Sequence, residues 1–331
     1  MSGPVVTARV ETFPIAGAWT ISRGSIDALE VVTVEARMDG HTGRGECRPY
    51  PRYGWTSESV VAEIEAAAPE IATRSDPADW DLAGLMPADA ARNALDCALW
   101  DLRAKIAGRP VWQLAGLGRA PGPVVTAYTL SLDAADAMRE KAQANAHRPL
   151  LKVKLGGEGD LARLHAVREG APESRIIVDA NEGWSADAYA EIAPAMVELG
   201  VAMVEQPLPE GEDEALAGVE RPLPVCADES CHDRASLAAL RGRYDMINIK
   251  LDKTGGLTEA LALKAAAEEL GFRVMAGSML STSLAIAPAV LVAQGAEIAD
   301  LDGPLLLARD RETALTYDEA GVHPAMTELW G

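Results

Sequence analysis

Hydrophobic and polar positions follow two regimes along the chain. Residues 4–15 and 28–38 are rich in Val, Thr and Ile, the composition of strands. TGRGEC (42–47) follows Asp39-Gly40, a turn signal, so the three segments predict an antiparallel meander. Helical spacing then takes over. Over 87–107, Ala91, Ala94, Leu95, Ala98, Leu99, Leu102 and Ile106 fall on one stripe, with Met86-Pro87 suited to the start and Gly108 with Pro110 to the end. Past the Gly/Pro-rich stretch LGRAPGPVV (117–125) the pattern repeats in architecture, not in sequence. Short apolar runs end at Tyr128, Lys154, Asp179, Glu205, Asp228, Lys250, Gly277 and Asp300, spaced 22 to 27 residues apart. Each gap reads as helix-like, for example 133–147, 186–199 and 257–270.

Eight such units predict an α/β fold: a parallel barrel closed by crossover helices. An open doubly wound sheet is the competitor, but it calls for a glycine-rich dinucleotide turn, and none follows an early strand. The expected organisation is a modified (β/α)8 TIM barrel, (β/α)7β, at 119–308. An N-terminal α+β capping domain at 1–118 precedes it. A segment at 309–331, strand-like at 314–317, is expected to return to the capping domain.

Composition narrows the function classes. With 331 residues, 48% hydrophobic and 24% charged, the chain can bury a sizeable core. Lys plus Arg is 30 against 50 Asp plus Glu, a net charge of −20, which disfavours nucleic acid and anionic membranes as partners. An acidic small substrate would need a local cation or a metal. Oligomeric state is left open, a homo-oligomer included. The four cysteines form no framework, and Cys226, Cys231 and His232 lack the further ligands of a tetrahedral site. Sparse thiols, and a start (MSGPVVTARVETF) without a basic and then apolar block, lead to a cytoplasmic expectation. Residues 274–296 carry no charge, but Gly277, Ser278, Ser281, Thr282, Ser283 and Pro288 break them into a buried strand, a loop and a buried helix, not a membrane span.

The candidate chemistry sits where apolar runs stop. IIVDAN, VAMVEQP and PVCADES place Asp179, Glu205 and Asp228 on three successive strands; LLKVKLGG and MINIKLDKTGG add Lys154 and Lys250. A barrel interior does not tolerate unpaired charges, and the C-terminal strand ends form the active-site face. Three converging carboxylates suit Mg²⁺, a hard cation that takes oxygen ligands; structural ion pairs with Lys or Arg are the alternative. Lys152 and Lys154 share one face of a strand. Lys152 and a metal would both depress the pKa of Lys154, leaving a neutral amine able to remove a proton from carbon. Loss of a proton beside a carboxylate puts two negative charges on its oxygens, and a divalent cation stabilises that enediolate. Lysines on both sides allow the proton to return inverted.

The order KVK, DAN, VEQP, ADES, NIKLDKTGG and DLDGP, with ISRGS (21–25), GEC (45–47), PYPRYG (49–54) and ARNALDCALWDL (91–102), resembles the enolase superfamily, its muconate-lactonizing subgroup and most closely the dipeptide epimerases. The resemblance implies Mg²⁺-dependent epimerisation of dipeptides, foremost L-Ala-D-Glu to L-Ala-L-Glu in murein peptide recycling. It implies Lys154 and Lys250 as the two bases and Lys152 as support for the substrate carboxylate and for the pKa of Lys154. Asp179, Glu205 and Asp228 would bind Mg²⁺, with Asn181 and Glu229 behind them. Asp300 and Asp302 resemble the pair that holds the substrate ammonium. The first domain would act as a lid through loops at about 19–26 and 48–55, and Arg23 is the candidate for a glutamyl side chain. GSMLSTS (277–283) departs from the family: Ser278 and Ser281 stand where many dipeptide epimerases have Cys and Glu, which puts the preferred side chain in doubt. A lyase or cycloisomerase such as o-succinylbenzoate synthase or muconate cycloisomerase shares the lysines and metal ligands but needs no ammonium clamp. A non-catalytic binding barrel is the third reading.

Overall fold

A computed structural model describes residues 3–21 and 24–331. Strands β1 (Val5–Ile21), β2 (Gly24–Met38) and β3 (His41–Cys47) form an antiparallel sheet in chain order. Asp39 and Gly40, at φ 51° and 78°, turn β2 into β3. β1 runs beyond the expected strand, and its register shifts between Pro14 and Trp19, where proline cannot donate to the ladder.

Two helices cover this sheet. Helix α1 (Ser57–Ile71) begins with a reciprocal box between Thr56 and Ser59, and α2 (Ala90–Ala107) begins on the Asp89 carboxylate, which accepts from the Arg92 amide. Gly108, at φ 58°, ends α2. The glycines of TGRGEC let α2 lie directly on β3. A Cβ on Gly43 would stand 2.1 Å from the Ala98 carbonyl oxygen, and one on Gly45 2.0 Å from that of Ala94. Val32, Val34, Ile64, Leu95, Leu99 and Leu102 fill the interior.

A short helix, α3 (Val111–Leu114), leads to the barrel. In chain order its elements are β4 (Tyr128–Leu130), α4 (Ala135–Ala144), β5 (Leu150–Lys154), α5 (Asp160–Gly170), β6 (Arg175–Asp179), α6 (Ala186–Glu198), β7 (Val201–Glu205), β8 (Val225–Ala227), α7 (Leu237–Leu240), β9 (Met246–Lys250), α8 (Leu251–Thr254), α9 (Leu257–Glu269), β10 (Arg273–Gly277), α10 (Ser283–Ala293) and β11 (Ile298–Asp300). The strands are parallel and ordered β4 to β11. The ring closes where the Ala127 amide donates to the Ala299 carbonyl at 2.8 Å and the Leu301 amide to Thr126 Oγ1 at 2.7 Å.

Not every gap holds a helix of ordinary length. Between β7 and β8 only the 3₁₀ turn Asp213–Gly218 forms, and between β8 and β9 a 3₁₀ turn and the four-residue α7. Pro207 and Pro209 on one side and Pro222 and Pro224 on the other confine any helix in the first of these gaps to the residues between them. The charge-free stretch is β10, a loop and α10, whose residues are almost all buried, and no described helix is long and apolar enough to cross a membrane.

One layer of side chains seals the barrel floor: Ala127, Leu150, Ile177, Met203, Cys226, Met246, Met275 and Ile298, one from each strand or its lead-in. Two residues further along each, on the same face, come Thr129, Lys152, Asp179, Glu205, Asp228, Asn248, Gly277 and Asp300. An apolar plug is thus capped by a ring that is almost wholly polar, and this step fixes where chemistry can occur.

After β11 the chain crosses back. The expected strand at 314–317 shrinks to a two-residue pairing of β12 (Tyr317–Asp318) with β13 (Gly321–Val322). Leu315 cannot extend it, because its amide donates to Ser283 Oγ at 2.9 Å. Arg311 reaches the first sheet, with ion pairs to Glu46 at 2.6 Å and Glu11 at 3.1 Å. The last residues lie on α2: the Trp330 indole donates to the Cys97 carbonyl at 2.9 Å and the Gly331 amide to Asp101 Oδ1 at 2.8 Å.

Candidate active site

The polar ring and the residues just above it form one buried network. Lys152, with 1% of its side chain exposed, stands among Asp179 at 3.0 Å, Glu205 at 2.6 Å and Asp300 at 2.7 Å. Lys154, on the same face of β5, pairs with Asp179 at 2.6 Å. Across the mouth, Lys250 pairs with Asp228 Oδ2 at 2.7 Å and Lys253 with Asp228 Oδ1 at 2.6 Å. β5 and β9 are separated by four steps around an eight-stranded ring, so Lys154 and Lys250 come from opposite walls; Asp179, Glu205 and Asp228 occupy the arc between them. Both lysines line one small chamber with Asn181, Asp228, Glu229, Ser278 and Tyr53.

Burial and charge set the protonation of this network. Burial opposes the charged form of Asp179, but Lys152 and Lys154 hold its pKa below the usual carboxylate range. Asp228 is likewise buried, and Lys250 and Lys253 hold it well below that range. Among the described residues Glu205 has one ammonium in direct contact, that of Lys152. Burial and the neighbouring Asp179 carboxylate push it up to about 7, against the pull of Lys152. Lys152 and Lys250 are raised despite burial, Lys152 chiefly by Asp179, Asp300 and Glu205, and Lys250 by Asp228 and Glu205.

As packed, the three carboxylates are turned on to lysines, and among the described residues no three His, Cys, Asp or Glu side chains stand in ligand geometry. The donor set nevertheless fits a hard divalent cation. It is all oxygen and buried. Six carboxylates (Asp179, Glu205, Asp228, Glu229, Asp300 and Asp302) face four ammonium groups (Lys152, Lys154, Lys250 and Lys253). Glu205 Oε2 accepts no hydrogen bond; Lys152 Nζ is close to it but poorly directed.

The other expected positions are distributed around this centre. Asn181, at φ 45°, donates its amide to Asp179 Oδ1 at 2.9 Å, and Glu229 is buried in the chamber wall. Among the described residues Asp300 Oδ1 has no hydrogen-bond partner, and Asp302 Oδ2 accepts from the Thr129 amide at 2.6 Å. Burial and the adjacent Asp300 push Asp302 up to about 7. Ser278 Oγ reaches the Asp300 carbonyl at 3.4 Å, while Ser281 Oγ is buried without a partner among the described residues. Arg23 lies outside the described residues.

Several groups escaped the sequence reading. Lys253 holds Asp228, and Asn248 donates to Glu205 Oε1 at 2.7 Å. Asn248 is a polar residue two before Lys250 in MINIK, and its inward face could have been read from that spacing. Gly277 belongs to the same feature, because a Cβ there would meet Asn248 Oδ1 at 2.5 Å. Gln206, at φ 36°, accepts from the amides of Asp228 and Ser230 at 2.9 and 3.2 Å and so fixes the turn that carries Asp228. From the first domain, Arg52 forks on to Glu182, and Tyr53 stands edge-on to His232 with ring centres 5.6 Å apart.

Family models match over most of the chain: "Mandelate racemase / muconate lactonizing enzyme, N-terminal domain" at 5–116 and "Enolase C-terminal domain-like" at 133–318. The chain belongs to the mandelate racemase/muconate lactonizing family of the enolase superfamily. Within that superfamily it is 46% identical over 318 residues to the L-Ala-D/L-Glu epimerase of Escherichia coli K12, covering 95% of this chain and 97% of the relative. An enolase-superfamily structure from Agrobacterium tumefaciens, with homology to dipeptide epimerases and with sodium and L-Ala-L-Glu bound, superposes with a TM-score of 0.96. It is 54% identical, and the match covers 99% of this chain and 100% of that one. The dipeptide epimerase of Enterococcus faecalis V583, complexed with Mg and L-Leu-L-Tyr, has a TM-score of 0.89 at 29% identity and 98% coverage of both chains. The enolase-superfamily architecture, a parallel eight-stranded barrel with an N-terminal α+β domain, is the one the apolar pattern predicts.

Proposed function

We propose that this protein is a Mg²⁺-dependent dipeptide epimerase, inverting the α-carbon of the C-terminal residue, with L-Ala-D-Glu and L-Ala-L-Glu as its substrate pair in murein peptide recycling. The observation that carries this reading is the pair Lys154 and Lys250, on opposite walls of one chamber with carboxylates between them. The likeness to dipeptide epimerases over nearly the whole chain supports it.

Asp179, Glu205 and Asp228 would hold Mg²⁺, with Asn181 and Glu229 behind them. When bound there, the ion supplies positive charge beside the substrate carboxylate, which gains negative charge as the α-proton leaves. Lys154 takes the proton from one face and Lys250 returns one to the other; the roles exchange in the reverse direction. Lys152 anchors the carboxylates of Asp179, Glu205 and Asp300 around the reacting group. Asp300, with one oxygen free of hydrogen bonds, and Asp302 accept the substrate ammonium. This clamp favours a dipeptide over the substrates of a cycloisomerase, which carry no ammonium. Ser278 and, from the lid, Arg23 complete the proposed substrate contacts.

The proposed division is a lid at 1–118, a catalytic barrel at 119–308 and a returning segment at 309–331; the two family matches and the Arg311 contacts support it. A cytoplasmic setting is part of the proposal, supported by four buried free thiols. The test is incubation with L-Ala-D-Glu in D₂O, following the Glu α-proton. Exchange with appearance of the second diastereomer is expected; neither exchange nor a new diastereomer rejects the reading.

A further inference from the structure

Among the described residues, four that are not glycine hold a left-handed backbone: Asp39, Asn181, Glu182 and Gln206. Asp39 makes the turn from β2 to β3. The other three follow closely on proposed metal ligands, Asn181 and Glu182 after Asp179 and Gln206 after Glu205. A residue with a side chain is strained in this conformation, and such strain persists only where the surroundings over-determine it.

Gln206 is held on every side. It is wholly buried. Its amide donates to the Cys226 carbonyl at 2.9 Å, and its carbonyl accepts from the Glu182 amide at 2.9 Å. Its side chain is bonded at both ends. Oε1 accepts from the amides of Asp228 and Ser230. Nε2 donates to the Leu208 carbonyl at 2.8 Å and the Tyr244 hydroxyl at 2.9 Å, with Ser230 Oγ also at 2.9 Å. Tyr244 is fixed in turn by donating to Asp213 Oδ2 at 2.9 Å. A side-chain amide with donors facing its oxygen and acceptors facing its nitrogen can neither flip nor swing.

One residue thus joins the turns after β6, β7 and β8, which carry Asp179, Glu205 and Asp228. The bond to Asp228 bears the most. β8 is three residues long and ends at Ala227, so Asp228 stands past the strand. Its N–H is taken by Gln206 Oε1 and its carbonyl by Lys253 Nζ.

We infer that Gln206 is a positioning residue for the divalent cation, holding the backbones of Asp179, Glu205 and Asp228 in the mutual register that one ion needs. The inference rests on the metal reading of the proposed function. Like charge drives the three carboxylates apart, and a small hard cation tolerates little error in the placing of its oxygens. The brace acts on the turns and not on the carboxylate ends, so it holds whether those ends face lysines or an ion.

The test is calorimetric titration of the full chain with Mg²⁺, beside thermal unfolding without metal, in wild type, Gln206→Met and Gln206→Asn. Met keeps the length of the side chain and offers no comparable bond. Asn tolerates the left-handed backbone but is one methylene too short to reach the two amides. Both variants should bind Mg²⁺ about 10- to 100-fold more weakly. An affinity within about threefold of wild type in either folded variant overturns the inference, and a lowered unfolding temperature would then assign Gln206 to folding alone. Should Gln206→Met not fold, Gln206→Asn has the same force. Wild type that binds no Mg²⁺ overturns the metal reading, and this inference with it.

Discussion

Arg52, on the first domain, donates through Nε and Nη2 to the two carboxylate oxygens of Glu182, on the barrel loop after β6, at 2.9 and 2.7 Å. The fork closes the 48–55 loop over the mouth. Glu182 is itself held at φ 65° and accepts from the Glu210 amide at 2.8 Å, so three loops meet at one carboxylate. Replacing Arg52 by Ala should raise KM for the dipeptide about tenfold with a smaller change in kcat, and should expose the 48–55 loop to limited proteolysis. Global stability should change by no more than about 1 kcal/mol, since the arginine is partly exposed. A KM equal to wild type would show that the latch does not shape the bound state.

The two-base arrangement makes an asymmetric prediction. Lys154→Ala should abolish α-proton exchange from one epimer of the substrate, and Lys250→Ala from the other, each by about 1000-fold or more. Exchange is to be followed by NMR in D₂O from each pure epimer. Equal residual exchange from both epimers in either variant argues against opposed bases.

Metal dependence is checked without relying on turnover alone. Chelation should remove activity and added Mg²⁺ restore it. Calorimetric titration should find one Mg²⁺ per chain, and Glu205→Gln should bind it at least about tenfold more weakly. Mg²⁺ should also raise the unfolding temperature by mass action.

Asp252 gives a pH-dependent prediction away from the ion site. Burial pushes its carboxyl from 3.8 up to about 7, against hydrogen bonds from Asn93 and the Arg48 amide. The folded chain therefore binds a proton that the unfolded chain releases between these values. This contribution to stability is complete below about pH 4 and lost as pH rises through 7. Asp252→Asn mimics the protonated form. Relative to wild type it should gain stability at pH 8 and none at pH 4, with an upper bound of about 4 kcal/mol at 1.36 kcal/mol per unit. Urea unfolding at both pH values measures the difference; a gain of the same size at both contradicts the assignment.

Much of this architecture was legible because charges inside apolar runs are physically costly. A residue such as Asp179 at the end of IIVD cannot face the packed helices, so it must face a polar mouth, and on the neighbouring strand the two-residue period puts Lys152 on the same face as Lys154. Lys253 was not legible, since a lysine in the turn after a strand has the sequence character of a solvated residue; only the tight α8 turn aims it back at Asp228. The 48–55 loop was expected over the mouth, but the contact of Arg52 with Glu182 was hidden for another reason. Which lid side chains reach the barrel depends on how two domains dock, and local pattern says nothing of that. The missing helix after β7 was readable from its flanking prolines, but regular spacing of the apolar runs argued more strongly for a helix in every gap.

Arg311 is the residue through which the returning chain grips both parts of the molecule. It bonds Glu46 on β3 and Glu11 on β1, and its Nε also donates to Thr282 Oγ1 at the start of α10 at 2.7 Å. A hinge-like swing of the whole cap would have to tear a fully buried carboxylate from its counter-ion. Any motion that admits or releases a ligand therefore falls to loop tips of the cap such as 48–55, while its sheet and helices stay bolted in place.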